Sequence, residues 1–203
     1  MPIRKGEPWG GVGPLPPDAV VVRTDADARA VVTEARRSGG AVPPLGLLGG
    51  DLCRTLGGTG DEAHLRSGAA TILPVDLGAV LVDGRLQWFV AHLVARRSWW
   101  RGRVVAVMNA QFIGPWDVAP RGHPDDGRLD VLDGHLPLGT RMQVRSRLVS
   151  GTHVPHPGIE ERHVSALQIE LDRATPIRLD GELVGEATTL SIRVEPDALL
   201  CIV

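Results

Sequence analysis

Thr71-Ile72-Leu73-Pro74-Val75-Asp76-Leu77-Gly78-Ala79-Val80-Leu81-Val82-Asp83-Gly84-Arg85-Leu86-Gln87-Trp88-Phe89-Val90-Ala91-His92-Leu93 decides the fold class. Its β-branched and aromatic runs read as strands over 71–75, 79–82 and 86–93. Asp83-Gly84 between two of them is a two-residue hairpin turn, because both residues tolerate positive φ. Downstream, strands are expected over 104–108, 129–132, 164–171, 177–179, 190–194 and 198–203. Many short strands at close spacing point to a β-sandwich or barrel. One helix interrupts them, over 138–150, with Leu138, Met142, Leu148 and Val149 inward and Gly151 as its stop.

Upstream the pattern differs. Residues 1–18 are rich in Gly and Pro and read as an irregular lead-in. Residues 19–23 form a short strand, and Thr24 with Asp27 makes a weak capping box. The helix then runs over Asp25–Ser38, with Ala28, Val31, Val32 and Ala35 as its apolar stripe and Gly39-Gly40 as its stop. A second strand over 45–48 completes a β-α-β unit that ends in the turn Gly49-Gly50-Asp51. The expected fold class is α+β: a small α/β segment over 1–68, then a larger antiparallel β-sandwich domain over 69–203.

The 203 residues suffice for a core without disulfides or metal. The formal charge of −2 lacks the basic excess of a nucleic-acid binder, so no nucleic acid is expected. Two cysteines, Cys53 and Cys201, cannot make a disulfide framework and read as buried residues in a reducing, cytoplasmic setting. Residues 1–7 show neither the apolar core nor the cleavage pattern of a signal peptide. No G-x-S-x-G string is present and neither cysteine has a motif neighbour, so a serine or cysteine hydrolase has no support.

Three stretches could carry chemistry. Pro124-Asp125-Asp126-Gly127 is an acidic turn that suits a hard cation, or serves as a plain turn. Asp180-Gly181-Glu182 offers two carboxylates around a bend, able to divide proton transfer and metal holding, or again is a hairpin turn. Arg96-Arg97-Ser98-Trp99-Trp100-Arg101 is a basic-aromatic patch suited to an anionic membrane surface, or a solvated hairpin. His153, His156 and His163 have loosely metal-like spacing.

Taken in order, Asn109…Phe112…Gly114, Ala119-Pro120, residues 124–131, Gly151-Thr152-His153-Val154-Pro155-His156-Pro157-Gly158 and Leu179-Asp180-Gly181-Glu182 resemble the C-terminal half of the diacylglycerol kinase catalytic family, bacterial lipid kinases and sphingosine kinases included. Residues 50–57 and Asp76-Leu77-Gly78 resemble earlier family segments. The resemblance implies Asp180 as general base, Glu182 beside a catalytic Mg2+, and a structural metal loop of Asp126 with the carbonyls of His123 and Arg128. It implies Gly49, Gly50 and Asp51 as the remnant of the nucleotide side.

The departures are as informative. Family members run to about 300 residues. Their phosphate loop, G-G-D-G-T, is absent, and Gly49-Gly50-Asp51 continues into Leu52-Cys53. A Gly-Thr turn lets amides approach phosphates closely; Leu-Cys does not. The excursion that contributes to the lipid pocket is also missing after Asp76-Leu77-Gly78. The resemblance therefore implies a degenerate, lipid-kinase-like protein that binds a lipid, a polyol or a protein partner, with peripheral membrane contact and homo- or hetero-oligomerisation open. Mg2+ has candidate ligands, whereas the missing loop speaks against ATP. The alternative is an active, ATP- and Mg2+-dependent lipid kinase using Asp180, completed by a second subunit.

Overall fold

The structure, a computed structural model, describes residues 9–203. The expected lead-in over 1–18 lies partly outside them. Within the described part, Gly11–Gly13 (β1) pairs antiparallel with Ala70–Val82 (β4). Val20–Val22 (β2) and Leu45–Leu47 (β3) pair in parallel across the helix Asp25–Ser38 (α1), as the β-α-β reading requires. Thr24 caps α1 by accepting from the Asp27 amide at 3.1 Å, and Gly39 ends it with φ 71°. Ala28 and Val32 are buried. Two five-residue helices, Asp51–Thr55 (α2) and Glu62–Arg66 (α3), follow the Gly49-Gly50-Asp51 turn.

The remaining strands are Arg85–Phe89 (β5), His92–Arg96 (β6), Val104–Met108 (β7), Phe112–Ile113 (β8), Trp116–Asp117 (β9), Leu129–Gly134 (β10), Ile159–Val164 (β11), Ala166–Leu179 (β12) and Glu182–Ile202 (β13). Leu138–Leu148 (α4) lies between β10 and β11. All strands except the β8–β9 hairpin join one sheet, ordered β1-β4-β13-β12-β6-β7-β10-β11, with β2, β3 and β5 attached at its margins. Several expected strand pairs are single long strands: β4 covers two of them, as do β12 and β13. The register slips between Glu195 and Leu199 on β13, and between Glu170 and Thr175 on β12. Such bulges bend a long strand, so one sheet supplies both layers of the sandwich.

β13 shows the consequence. Leu190, Ile192 and Val194 enter the sandwich core with Val80, Phe89, Leu93, Val107 and Ile177. Beyond the slip, Leu199, Cys201 and Val203 enter a second core with Val22, Val32, Leu45, Leu52 and Val75. β3 pairs directly with the end of β13, so the front segment extends the same sheet. Both cysteines are free and buried.

The helix α4 departs from expectation. None of its residues is buried, and Leu138, Met142 and Val149 are 56, 52 and 65% exposed. Leu138 and Val149 turn outward, while Met142, although half exposed, lines the space between the helix and the sheet together with Val144 and Leu148. Among the described residues no helix is long and apolar enough to cross a membrane.

One close approach is decisive. A Cβ at Gly78 would lie 2.2 Å from the fully buried Phe89 ring, its neighbour across β4–β5. Gly78→Ala should lower stability by about 1–3 kcal/mol through overpacking. Urea unfolding should show a smaller cost in a Phe89→Leu background; equal costs in both would remove the ring as the cause.

Candidate functional site

Asp180 occupies the tip of the β12–β13 hairpin with φ 50°, followed by Gly181 with φ 86°. Positive φ at both positions is what a tight two-residue hairpin turn demands. The turn folds the carboxylate back onto the break between β5 and β6. Oδ1 accepts from the Ala91 and His92 amides at 2.9 and 3.0 Å, and Oδ2 from the Val90 amide at 3.0 Å. The side chain is wholly buried. Burial pushes its pKa up to about 6, against the opposing pull of the His92 charge and the three amides.

The nucleotide-side candidates assemble nearby. Asp51 starts α2; its Oδ2 lies 3.1 Å from His92 Nε2, and its Oδ1 accepts from the Gly114 amide at 2.8 Å. Burial works against a charge on His92, but the Asp51 hydrogen bond and the Asp180, Asp51 and Asp25 carboxylates outweigh it and raise its pKa. The amides of Asp51 and Leu52 do not face open space. They donate to the Asp25 carboxylate, at 2.6 and 3.1 Å. A Cβ at Gly50 would meet that carboxylate at 2.5 Å, and one at Gly49 would meet the Arg23 carbonyl at 2.5 Å. Both glycines thus serve close packing of the chain on itself.

Glu182 stands apart. Its side chain is 62% exposed and pairs with Arg29 of α1, whose Nε lies 3.8 Å from Asp180 Oδ2. Arg29 therefore ties the hairpin to the front segment.

The acidic turn forms a third group. Asp126 Oδ1 accepts from the Arg128 amide at 3.0 Å, and Oδ2 lies 3.0 Å from His163 Nε2. The His123 ring stacks obliquely on Trp9, centroids 4.4 Å apart. Beneath them the buried Asp76 carboxylate accepts from the Gly127 and Asp197 amides at 2.7 and 3.0 Å. Asn109 donates to the Asp76 and Val90 carbonyls, both at 2.8 Å. Of the two expected metal positions, Asp126 of the loop with the His123 and Arg128 carbonyls is engaged by His163, and Glu182, the separate candidate beside a catalytic Mg2+, by Arg29. Among the described residues, no group of three or more His, Cys, Asp or Glu is arranged to hold an ion.

The basic-aromatic patch is partly structural. Arg96 stacks 3.6 Å over the Trp99 ring, which meets Trp116 edge-on at 5.2 Å. Arg97 donates to the Ala174 carbonyl at 3.1 Å, while Trp100 is 57% exposed. Trp99 and Trp100 border an apolar cavity of about 140 Å³ between α4 and the sheet, lined also by Val104, Trp116, Leu148 and His153. His153 is buried beside the Val118 backbone, and neither ring nitrogen makes a well-aligned hydrogen bond among the described residues. Burial holds its imidazole below the usual range.

Sequence reasoning missed Asp25, Arg29, His92 and Asp76 as members of these groups. Asp25 reads as an ordinary acid in the first turn of a helix, and only the fold brings α2 to it.

One pH dependence follows from the acidic turn. Asp125 is buried, and burial together with Asp197 and Asp76 pushes its pKa up to about 7. An acid with a raised folded pKa contributes stability at low pH that is lost as pH rises through the folded value. The Tm of the protein should therefore fall between about pH 4 and 7, and Asp125→Asn should flatten that fall. An unchanged profile in the variant would contradict the assignment.

A family model described as the YegS C-terminal NAD kinase beta sandwich-like domain matches residues 72–203. No curated protein matches. A putative diacylglycerol kinase from Bacillus anthracis str. Sterne superposes with a TM-score of 0.69 at 14% identity, over 91% of this chain and 77% of that one. A structure titled a diacylglycerol kinase from the same organism gives 0.60 at 16%, over 91% and 75%. The chain belongs to the diacylglycerol-kinase-like family that carries the YegS C-terminal NAD kinase beta sandwich-like domain.

Proposed function

We propose that the protein binds a lipid and does not transfer phosphate to it efficiently. The observation that carries this reading is the Asp25 carboxylate on the Asp51 and Leu52 amides. A nucleotide phosphate needs backbone donors at such a turn. Here a fixed negative charge already occupies them and would repel the phosphate. Asp180 is opposed in a second way: a general base must reach the substrate hydroxyl, and its side chain is wholly buried with three lone-pair sites taken by strand amides. Phosphoryl transfer draws nearly all its acceleration from positioning and electrostatics, so these two losses are severe.

The cavity under α4 supports the lipid half. Its walls are aliphatic and aromatic, which suits an acyl chain. His153 supplies one buried polar group whose ring nitrogens make no well-aligned hydrogen bond to protein, able to bond a hydroxyl or carbonyl of the ligand.

Two measurements check the proposal. Calorimetric titration with ATP and ADP, with and without Mg2+, should show no binding at millimolar nucleotide, and mass spectrometry of the purified protein should show a co-purifying lipid. His153→Phe should reduce the retained lipid. Magnesium-dependent micromolar ATP binding would overturn the loss of phosphate transfer. Absence of lipid from the protein and from incubations with lipid extract would overturn the binding reading.

A further inference from the structure

We propose that the face made by α4 and the Ser98-Trp99-Trp100-Arg101-Gly102-Arg103 segment docks on an anionic phospholipid bilayer. The inference rests on this surface alone and holds whether or not the cavity carries a lipid.

Three observations carry it. First, α4 presents an apolar stripe to solvent. Leu138, Met142 and Val149 stand at i, i+4 and i+11, with Arg145 at i+7, so all four share one side of the helix. A surface helix ordinarily turns such a stripe to the core. Here Val144 and Leu148 make the core contact, Met142 and Arg145 stand at the exposed rim of the cavity, and Leu138 and Val149 lie outside it on the exposed surface. Second, the adjoining segment continues the same surface. Arg141 donates to the carbonyls of Trp99, at 3.1 Å, and of Gly102, which fixes the loop beside α4. Exposed Trp100 and exposed Leu138 border one shallow depression with Pro137 and Arg101. Tryptophan favours the interface between headgroups and acyl chains.

Third, the charge on this surface is one-sided. Arg96, Arg97 and Arg101 come from one segment and Arg141, Arg145 and Arg147 from the other, residues 96–103 and 134–152 contain no Asp or Glu, and Arg103 is set apart by its ion pair with Asp133. The chain as a whole is net negative. Arg101, Arg145 and Arg147 have no carboxylate partner among the described residues, and Arg145 lies 5.1 Å over the Trp116 ring. Exposed arginines around an apolar stripe with an exposed tryptophan match the needs of an interfacial helix on anionic lipid. A second copy of the chain fits less well, because a two-fold contact on this face would bring its arginines against each other.

The test uses the full chain and phosphatidylcholine vesicles with or without phosphatidylserine. Sedimentation should show binding only to the phosphatidylserine vesicles, weakening as salt rises. Brominated lipid should quench tryptophan fluorescence in the native chain. The triple variant Arg101→Glu, Arg145→Glu, Arg147→Glu should lose binding by more than about tenfold, with an unchanged Tm, since all three are exposed. Trp100→Ser should remove most of the quenching. No binding by the native chain, equal binding to neutral vesicles, or RNA displacing the vesicles at lower concentration would each overturn the proposal. Trp100 and Arg145 also border the cavity, so the double variant Arg101→Glu, Arg147→Glu, neither of which lines it, separates vesicle binding from lipid retained in the cavity, which mass spectrometry reads.

Discussion

Three buried carboxylates hold this fold together by accepting backbone N–H groups from distant parts of the chain. Asp25 takes the amides that open α2, Asp76 takes those of Gly127 and Asp197, and Asp180 takes those of Val90, Ala91 and His92. Each group of amides lies where the sheet ladder or a helix cannot supply an acceptor: at a helix start, at a bulge opposite a loop, and at the break between β5 and β6. A buried N–H without an acceptor costs about 1–3 kcal/mol. A carboxylate offers enough lone pairs to satisfy two or three amides at one point, which no neutral side chain of that size matches. The cost is desolvation of the charge, visible in the raised pKa of all three residues.

Two of these residues also sit at joints of the fold. Asp76 sits on β4 opposite the kink where β13 leaves one core for the other. Asp180, through Arg29, ties the hairpin to α1. In the proposed reading, carboxylates that the family resemblance places in phosphate chemistry are held here by their structural duties. At Asp180 the catalytic candidate and the mechanical joint are the same residue, so a chain that retains the joint retains that part of the motif whether or not it transfers phosphate.

Much of this was legible in the sequence, for identifiable reasons. The helix α1 could be read to the residue because Thr24, the apolar stripe and Gly39 all point to the same boundaries. The Asp83-Gly84 turn and the strand-rich back followed from local chemistry. Family membership followed from ordered motifs over residues 109–182. The length of β4, β12 and β13 was hidden because bulges and polar interruptions break the alternation without ending the strand. On α4, Leu148 faces the sheet as expected, but Leu138 and Val149 were misassigned because periodicity gives the sides of a helix, not which side meets the sheet. Asp25 and His92 lay beyond reach: one looked like a first-turn acid, the other like part of a strand, and their roles exist only after β3, α2 and β6 meet.

The central claim is that Asp180 is a backbone acceptor before it is anything else. Equilibrium unfolding of Asp180→Asn tests it directly. The amide nitrogen of Asn cannot accept, so one of the three N–H groups loses its partner, and the variant should be less stable by about 1–3 kcal/mol. A variant of unchanged stability that had lost a phosphate-transfer activity present in the native chain would contradict the account and restore Asp180 as the catalytic base.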